Sequence, residues 1–124
     1  MNTMDALLDT NFILACIKRN IDFLDALEEE GFTPVLAHEV YQELKDLRQT
    51  ATMNDRVALD LALSLFEKRK VKKTTLGHHK VDEGLIAKGK QGAYIATLDS
   101  GIRRVVPGRI GIANAQNSLE ITRQ

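Results

Sequence analysis

Tryptophan is absent from this chain, and four phenylalanines and two tyrosines are its only aromatic residues. So sparse a set offers no legible platform for stacking bases, and no sequence-specific RNA recognition follows from it. Cysteine is scarce too. The one thiol, Cys16, lies in an apolar stretch, so no disulfide can close within the chain; that accords with a reducing compartment, and a cytoplasmic location is the expectation. No apolar run approaches the ~20 residues of a membrane span. The N-terminus lacks a basic lead, and Asp5 and Asp9 interrupt its apolar letters, so it does not read as a signal peptide. Excess charge of either sign is also missing, because seventeen Lys and Arg balance seventeen Asp and Glu. Bulk charge therefore argues for no partner, and any nucleic-acid site must be a local patch.

What is present is an ordinary globular composition, 44% hydrophobic and 27% charged over 124 residues, which predicts one domain spanning residues 1–124. A domain of that size buries roughly two-thirds of its unfolded surface, enough for a core without staples. There is no internal repeat. "MDALLDTN" reads as a short buried strand at Ala6 to Leu8, followed by helices in "FILACIKRN" and "IDFLDALEEEG", the second closed by Gly31. "FTPVLA" is a second strand, with Pro34 tolerable near its start. "HEVYQELKDL" returns to helical spacing with Val40, Leu44 and Leu47 on one face, and "DRVALDLALSLFEKRK" is the longest helix, with a broad apolar stripe of Val57, Ala58, Leu61, Ala62, Leu65 and Phe66. "VKKTT" is a weaker third strand, "VDEGLIAKGK" a helix loosened by Gly84 and Gly89, and "GAYIATLD" the clearest strand. A short helix or turn in "SGIRRVV", a break at Pro107-Gly108 and a last strand in "RIGIAN" complete the reading. Alternating helices and mostly apolar strands predict an α/β domain, a parallel sheet covered on both faces.

In such sheets ligands sit beyond the carboxyl ends of the strands. Asp9 follows the first strand, Asp99 follows "AYIAT", and Asp82 opens the helix before it. The helix after "VLA" offers Glu39 and Glu43. At about 100° per residue, Glu43 lies about 70° from the centre of the Val40/Leu44/Leu47 face and Glu39 about 110°, which favours Glu43. Taken singly, Asp9 and Asp99 also suit N-caps, Asp82 a helix N-terminus, and Glu43 a solvated helix surface. Together they predict four acids from distant segments at one strand edge, with no cation beside them in sequence. Hard divalent cations with oxygen ligands answer such repulsion, and a metal there activates water and steadies a phosphodiester's transition-state charge.

"LLDTN", "VYQEL", "VDEGLIAKGKQGAYIATLDSGIRR" and the closing "RIGIA" resemble the PIN domain, a metal-dependent ribonuclease family, over nearly the whole chain. The resemblance implies a three-layer α/β/α sandwich with a central, mostly parallel sheet of four or five strands. It implies hydrolysis of RNA phosphodiester bonds with Mg²⁺ or Mn²⁺ held by Asp9, Glu43, Asp82 and Asp99. Thr97 would be the hydroxyl supporting these catalytic residues, and Asn11 a polar residue assisting with substrate; Glu83, beside Asp82, is a further acid of the kind members carry. Among PIN proteins, stand-alone archaeal-type or VapC-like, the chain looks closer to the archaeal-type and ribosome-processing members than to most VapC toxins, which implies an antitoxin or a ribosome-assembly protein as partner and a pairing of two copies. A PIN-like scaffold that binds RNA or protein and cuts nothing is the alternative.

Two basic groups compete for the RNA backbone. Arg103, Arg104 and Arg109 follow Asp99 closely and are the better candidates for gripping substrate; "KRKVKK", Lys68 to Lys73, reads first as a solvated helix end. His78 and His79 lack metal-ligand spacing and read as a loop pair. "FILACI" and "IDFLDAL" are expected to supply the apolar stripe for a homodimer.

Overall fold

A computed structural model describes residues 3–124. Its elements run β1 Met4–Leu8, α1 Thr10–Lys18, α2 Phe23–Glu29, β2 Phe32–Ala37, α3 His38–Arg48, α4 Met53–Lys68, β3 Lys72–Thr74, α5 Val81–Lys90, β4 Tyr94–Ala96, α6 Ser100–Arg103, β5 Arg109–Ala113 and β6 Ser118–Thr122. Among the described residues, no helix is long and apolar enough to cross a membrane.

The sheet orders its strands β3-β2-β1-β4-β5-β6, parallel except for β6, which pairs antiparallel with β5. Helices flank a mixed but mostly parallel sheet, the expected α/β class, with one correction. The sheet has six strands rather than four or five. The added strand, β6, returns through a turn at 114–117 and pairs Ile112 with Leu119 and Ile110 with Ile121.

From β1 the chain steps outward to β2 and β3, then crosses back to β4 and on to β5. Right-handed crossovers in opposite directions put their helices on opposite faces. On one face α1, α3 and α4 pack together, and α2 joins them through Phe23, whose ring meets Phe12 and Phe66 edge to face. On the other, α5 lies against β4 with Gly89 close to Ile95 and Val106. The core includes Leu7, Leu8, Phe12, Leu36, Leu44, Leu85 and Ile95, each no more than 2% exposed.

Two expected apolar faces are revised. Leu47 is 40% exposed, and on α4 Val57 and Leu61 are 54% and 55% exposed while Ala58, Leu59, Ala62 and Phe66 are buried. The buried stripe is narrower than the sequence pattern, because leucine and valine letters do not tell a core face from a flank. The reverse holds for "FILACI" and "IDFLDAL": Phe12, Ile13, Cys16, Phe23, Leu24 and Leu27 are all buried. They make the core, while Leu14, Ala15, Ile17, Ile21 and Ala26 stay half-buried.

Candidate functional site

Reversal of strand order occurs between β1 and β4, so the crevice of this sheet opens at their carboxyl ends. Leu8 is in register with Ala96, which brings the next residues, Asp9 and Thr97, side by side. The Asp9 N–H donates to the Ala96 carbonyl at 2.9 Å. The Thr97 hydroxyl donates to Asp9 Oδ2 at 2.7 Å, and accepts from the Asp99 N–H at 3.1 Å. Asp9, Thr97 and Asp99 thus form one hydrogen-bonded chain across the switch point.

Both aspartates do cap helices. Asp9 is the N-cap of α1, and its Oδ1 accepts from the Thr10 N–H at 2.8 Å. Asp99 is the N-cap of α6, with Oδ1 accepting from the Gly101 and Ile102 N–H groups at 2.7 and 3.1 Å. Capping and a role in a site are compatible here, because the bonds at Asp99 fall on one oxygen. The environments of the two differ. Asp9 is 6% exposed; burial pushes its carboxyl above the ordinary carboxylate range, the bonds from Thr97 and Thr10 pull the other way, and the charges of Asp82 and Glu43 add to the rise. Asp99 and Asp82 are exposed and Glu43 half-buried. None of the ion pairs among the described residues involves these four acids. The Thr10 hydroxyl beside Asp9 is buried without a partner.

Glu39, the rival of Glu43 one turn away, is engaged elsewhere. Its carboxylate accepts from the Leu76 N–H at 3.0 and 3.1 Å and from the Gly77 N–H at 3.1 Å. Partial burial works to raise its pKa, but those backbone bonds, its own N–H and nearby His38 outweigh it and hold the carboxyl below its usual range. It ties the β3–α5 connection to α3. No spacing rule announces such a bond between segments 37 residues apart.

Other assignments find internal partners. Arg103 Nη1 donates to the Thr97 carbonyl at 3.2 Å, Arg109 Nη1 to the Arg103 carbonyl at 3.1 Å, and Arg104 Nε to the Ser100 carbonyl at 3.2 Å. Asn11 is exposed and lines a groove of about 480 Å³ with Leu14, Leu47 and Leu59. Glu83 is exposed. His38, His78 and His79 line a groove of about 320 Å³ that also holds Glu39 and Glu43. The "KRKVKK" run leads into the start of β3, the opposite edge from the acids; Arg69 bridges Asp25 and Glu28, and Lys72 pairs with Asp5. Cys16 is a core residue, its thiol pushed up to about 12 by burial, against the pull of Arg19.

The donor set tests whether a metal fits. Among the described residues, no group of three or more His, Cys, Asp or Glu is gathered closely enough to enclose an ion. A closed cage is not what a hard cation of the Mg²⁺ type requires, since it keeps several waters and binds through one or two carboxylates plus substrate phosphate. A buried, partly destabilised carboxylate facing two further acids, with oxygen donors only, fits that requirement.

A family model described as a PIN like domain matches residues 6–112. No curated protein matches the chain. Among solved structures it is similar to one titled as that of the PIN domain endonuclease Utp24, at 18% identity and a TM-score of 0.75, over 97% of this chain and 92% of the other. At that identity the likeness speaks for the fold.

Proposed function

The chain belongs to the PIN-like domain family, and from that premise we propose that it is a metal-dependent endoribonuclease. One observation carries the reading. The least exposed carboxylate of the switch point, Asp9, is held by Thr97 in the field of Glu43 and Asp82, with its pKa raised and no cation paired to it. Uncompensated acids in that position cost stability, and a bound divalent cation relieves them.

Asp9, Glu43, Asp82 and Asp99 would hold Mg²⁺ or Mn²⁺, which supplies an activated water and charge stabilisation at the scissile phosphate. The chain's own part is positional. Thr97 donates to one oxygen of Asp9 and receives the Asp99 amide, so the two strand-end acids share one hydroxyl as their spacer. Asp82 stands on the first turn of α5, and Glu43 one turn into α3. The family supports RNA as substrate, with an antitoxin or a ribosome-assembly protein as partner.

The test is cleavage of labelled single-stranded RNA with Mn²⁺, with Mg²⁺ and with EDTA, beside an Asp99→Asn protein prepared identically. Metal-dependent cutting that the variant lacks is the expected result. Full activity in the variant would sink the assignment. A second reading, a PIN-like scaffold that binds without cutting, draws support from the open spacing of the acids; it predicts no cutting in any metal and no ion at the acids.

A further inference from the structure

Thr97 is fully buried, and all of its polar groups have partners. Its N–H donates to the Ile110 carbonyl of β5 at 3.0 Å, and its hydroxyl joins Asp9 to Asp99. Its carbonyl accepts from Arg103, a side chain six residues ahead that turns back over the connection it ends. The seat for that guanidinium is Gly111 in β5. A Cβ built there would overlap Nη1 and stand 3.2 Å from Cζ, so the guanidinium in this pose lies directly on the glycine and a side chain there would push it aside. Arg103 is fixed at its backbone as well, its N–H donating to the Asp99 carbonyl at 2.9 Å and its carbonyl accepting from Arg109.

We propose that Arg103 is a positioning residue: seated on Gly111 and bonded to the Thr97 carbonyl, it holds the β4–α6 connection so that Thr97 and Asp99 keep their places beside Asp9. This deepens the nuclease reading and rests on it. The physical need is plain. The α6 helix has four residues, too short to persist by its own hydrogen bonds, and β4 has already ended at Ala96. Without the return tie, the segment that carries Asp99 keeps its cap, the Asp99 N–H bond to Thr97 and the buried Ile102, but loses the bond that holds the Thr97 carbonyl from the far side. A fork of fixed donors suits the task, whereas an ammonium is a point charge on a flexible stem.

Three variants test it. Arg103→Met keeps the apolar stem without donors, Arg103→Lys keeps the charge without the fork, and Gly111→Ala leaves the arginine and fills its seat. Each is expected to lower the maximal rate of RNA cutting about 10- to 100-fold, the usual cost of losing an outer-shell partner, with KM changed less than about twofold, as for an interaction that serves the transition state alone. Hydrogen exchange of the Asp99, Gly101 and Ile102 amides is expected to quicken about tenfold in Arg103→Met, with core strand amides unchanged, as for local opening. A rise in KM at unchanged maximal rate, or full rescue by Arg103→Lys, would mean that Arg103 grips substrate and would overturn the proposal. So would unchanged exchange at those amides. Because exchange needs no activity, a protein that never cuts RNA refutes the nuclease reading separately from the tie.

Discussion

At the scale of single residues, Asp9 shows how a site acid weighs on the fold that holds it. A carboxyl whose pKa is higher folded than unfolded confers stability below its unfolded pKa and loses it as pH rises through the folded value. Ionised Asp9, buried and facing Asp82 and Glu43, therefore counts against the folded state at neutral pH. Asp9→Asn is expected to raise the urea midpoint at pH 7 in EDTA, and to lose that advantage as pH falls through the raised pKa of the folded carboxyl toward the ordinary carboxylate range. The same variant is expected to cut no RNA, a gain of stability with loss of function. Urea melts across that range of pH check it. A lower midpoint at pH 7 would mean that the bonds from Thr97 and Thr10 need a full carboxylate.

At the scale of elements, the two α5 glycines change meaning between sequence and structure. Read along the chain, Gly84 and Gly89 weaken a helix. In three dimensions they let it approach: a Cβ on Gly84 would meet Leu76 Cβ at 2.6 Å, and one on Gly89 would meet Val106 Cγ1 at 2.6 Å and Ile95 Cγ1 at 3.1 Å. Gly89→Ala tests which effect wins. Alanine gains about 1 kcal/mol in helix propensity, while overpacking costs about 1–3 kcal/mol, and the contact here is with a branched side chain on one side and a central strand on the other. A net loss of stability is expected by denaturant melt; a more stable variant would show that Val106 yields. Legibility divides along the same line. Strands β1, β2 and β4 announce themselves as short apolar runs ending in polar residues, and the order of turns and helices does the rest. β6 escaped because "SLEIT" alternates weakly at an edge and owes its pairing to β5. Glu39 escaped because its partners are backbone amides of a remote loop. The sequence offers Arg103 as a grip for substrate, and its internal partner is not legible there because its seat depends on Gly111, although a glycine inside a strand is itself a sign of close approach.

At the scale of the molecule, charge and topology separate. The chain is neutral overall, yet Asp9 and Asp99 stand where strand order reverses, and the "KRKVKK" cations lie toward the other strand edge. On the metal reading proposed above, ion binding would be coupled to folding, because Asp9, Glu43, Asp82 and Asp99 belong to separate segments, β1–α1, α3, α5 and the β4–α6 connection, that only the fold brings toward one another. An ion that binds the folded chain alone stabilises it by RT ln(1 + [L]/Kd), about 2.7 kcal/mol at 100 times Kd. Mn²⁺ or Mg²⁺ is therefore expected to raise the thermal midpoint of the wild-type protein in a concentration-dependent way, and EDTA to reverse it. Asp9→Asn and Asp99→Asn should flatten the response, the first starting from a higher midpoint without metal. Ca²⁺ serves as a control for charge alone, since its larger radius and higher coordination number should give a different affinity at the same valence. An unchanged wild-type midpoint across millimolar metal would leave the acids without an ion and favour the scaffold; an equal shift in the variants would place the ion elsewhere on the surface. Only a shift that the aspartates control ties the switch-point acids to metal, and it does so without requiring the right RNA.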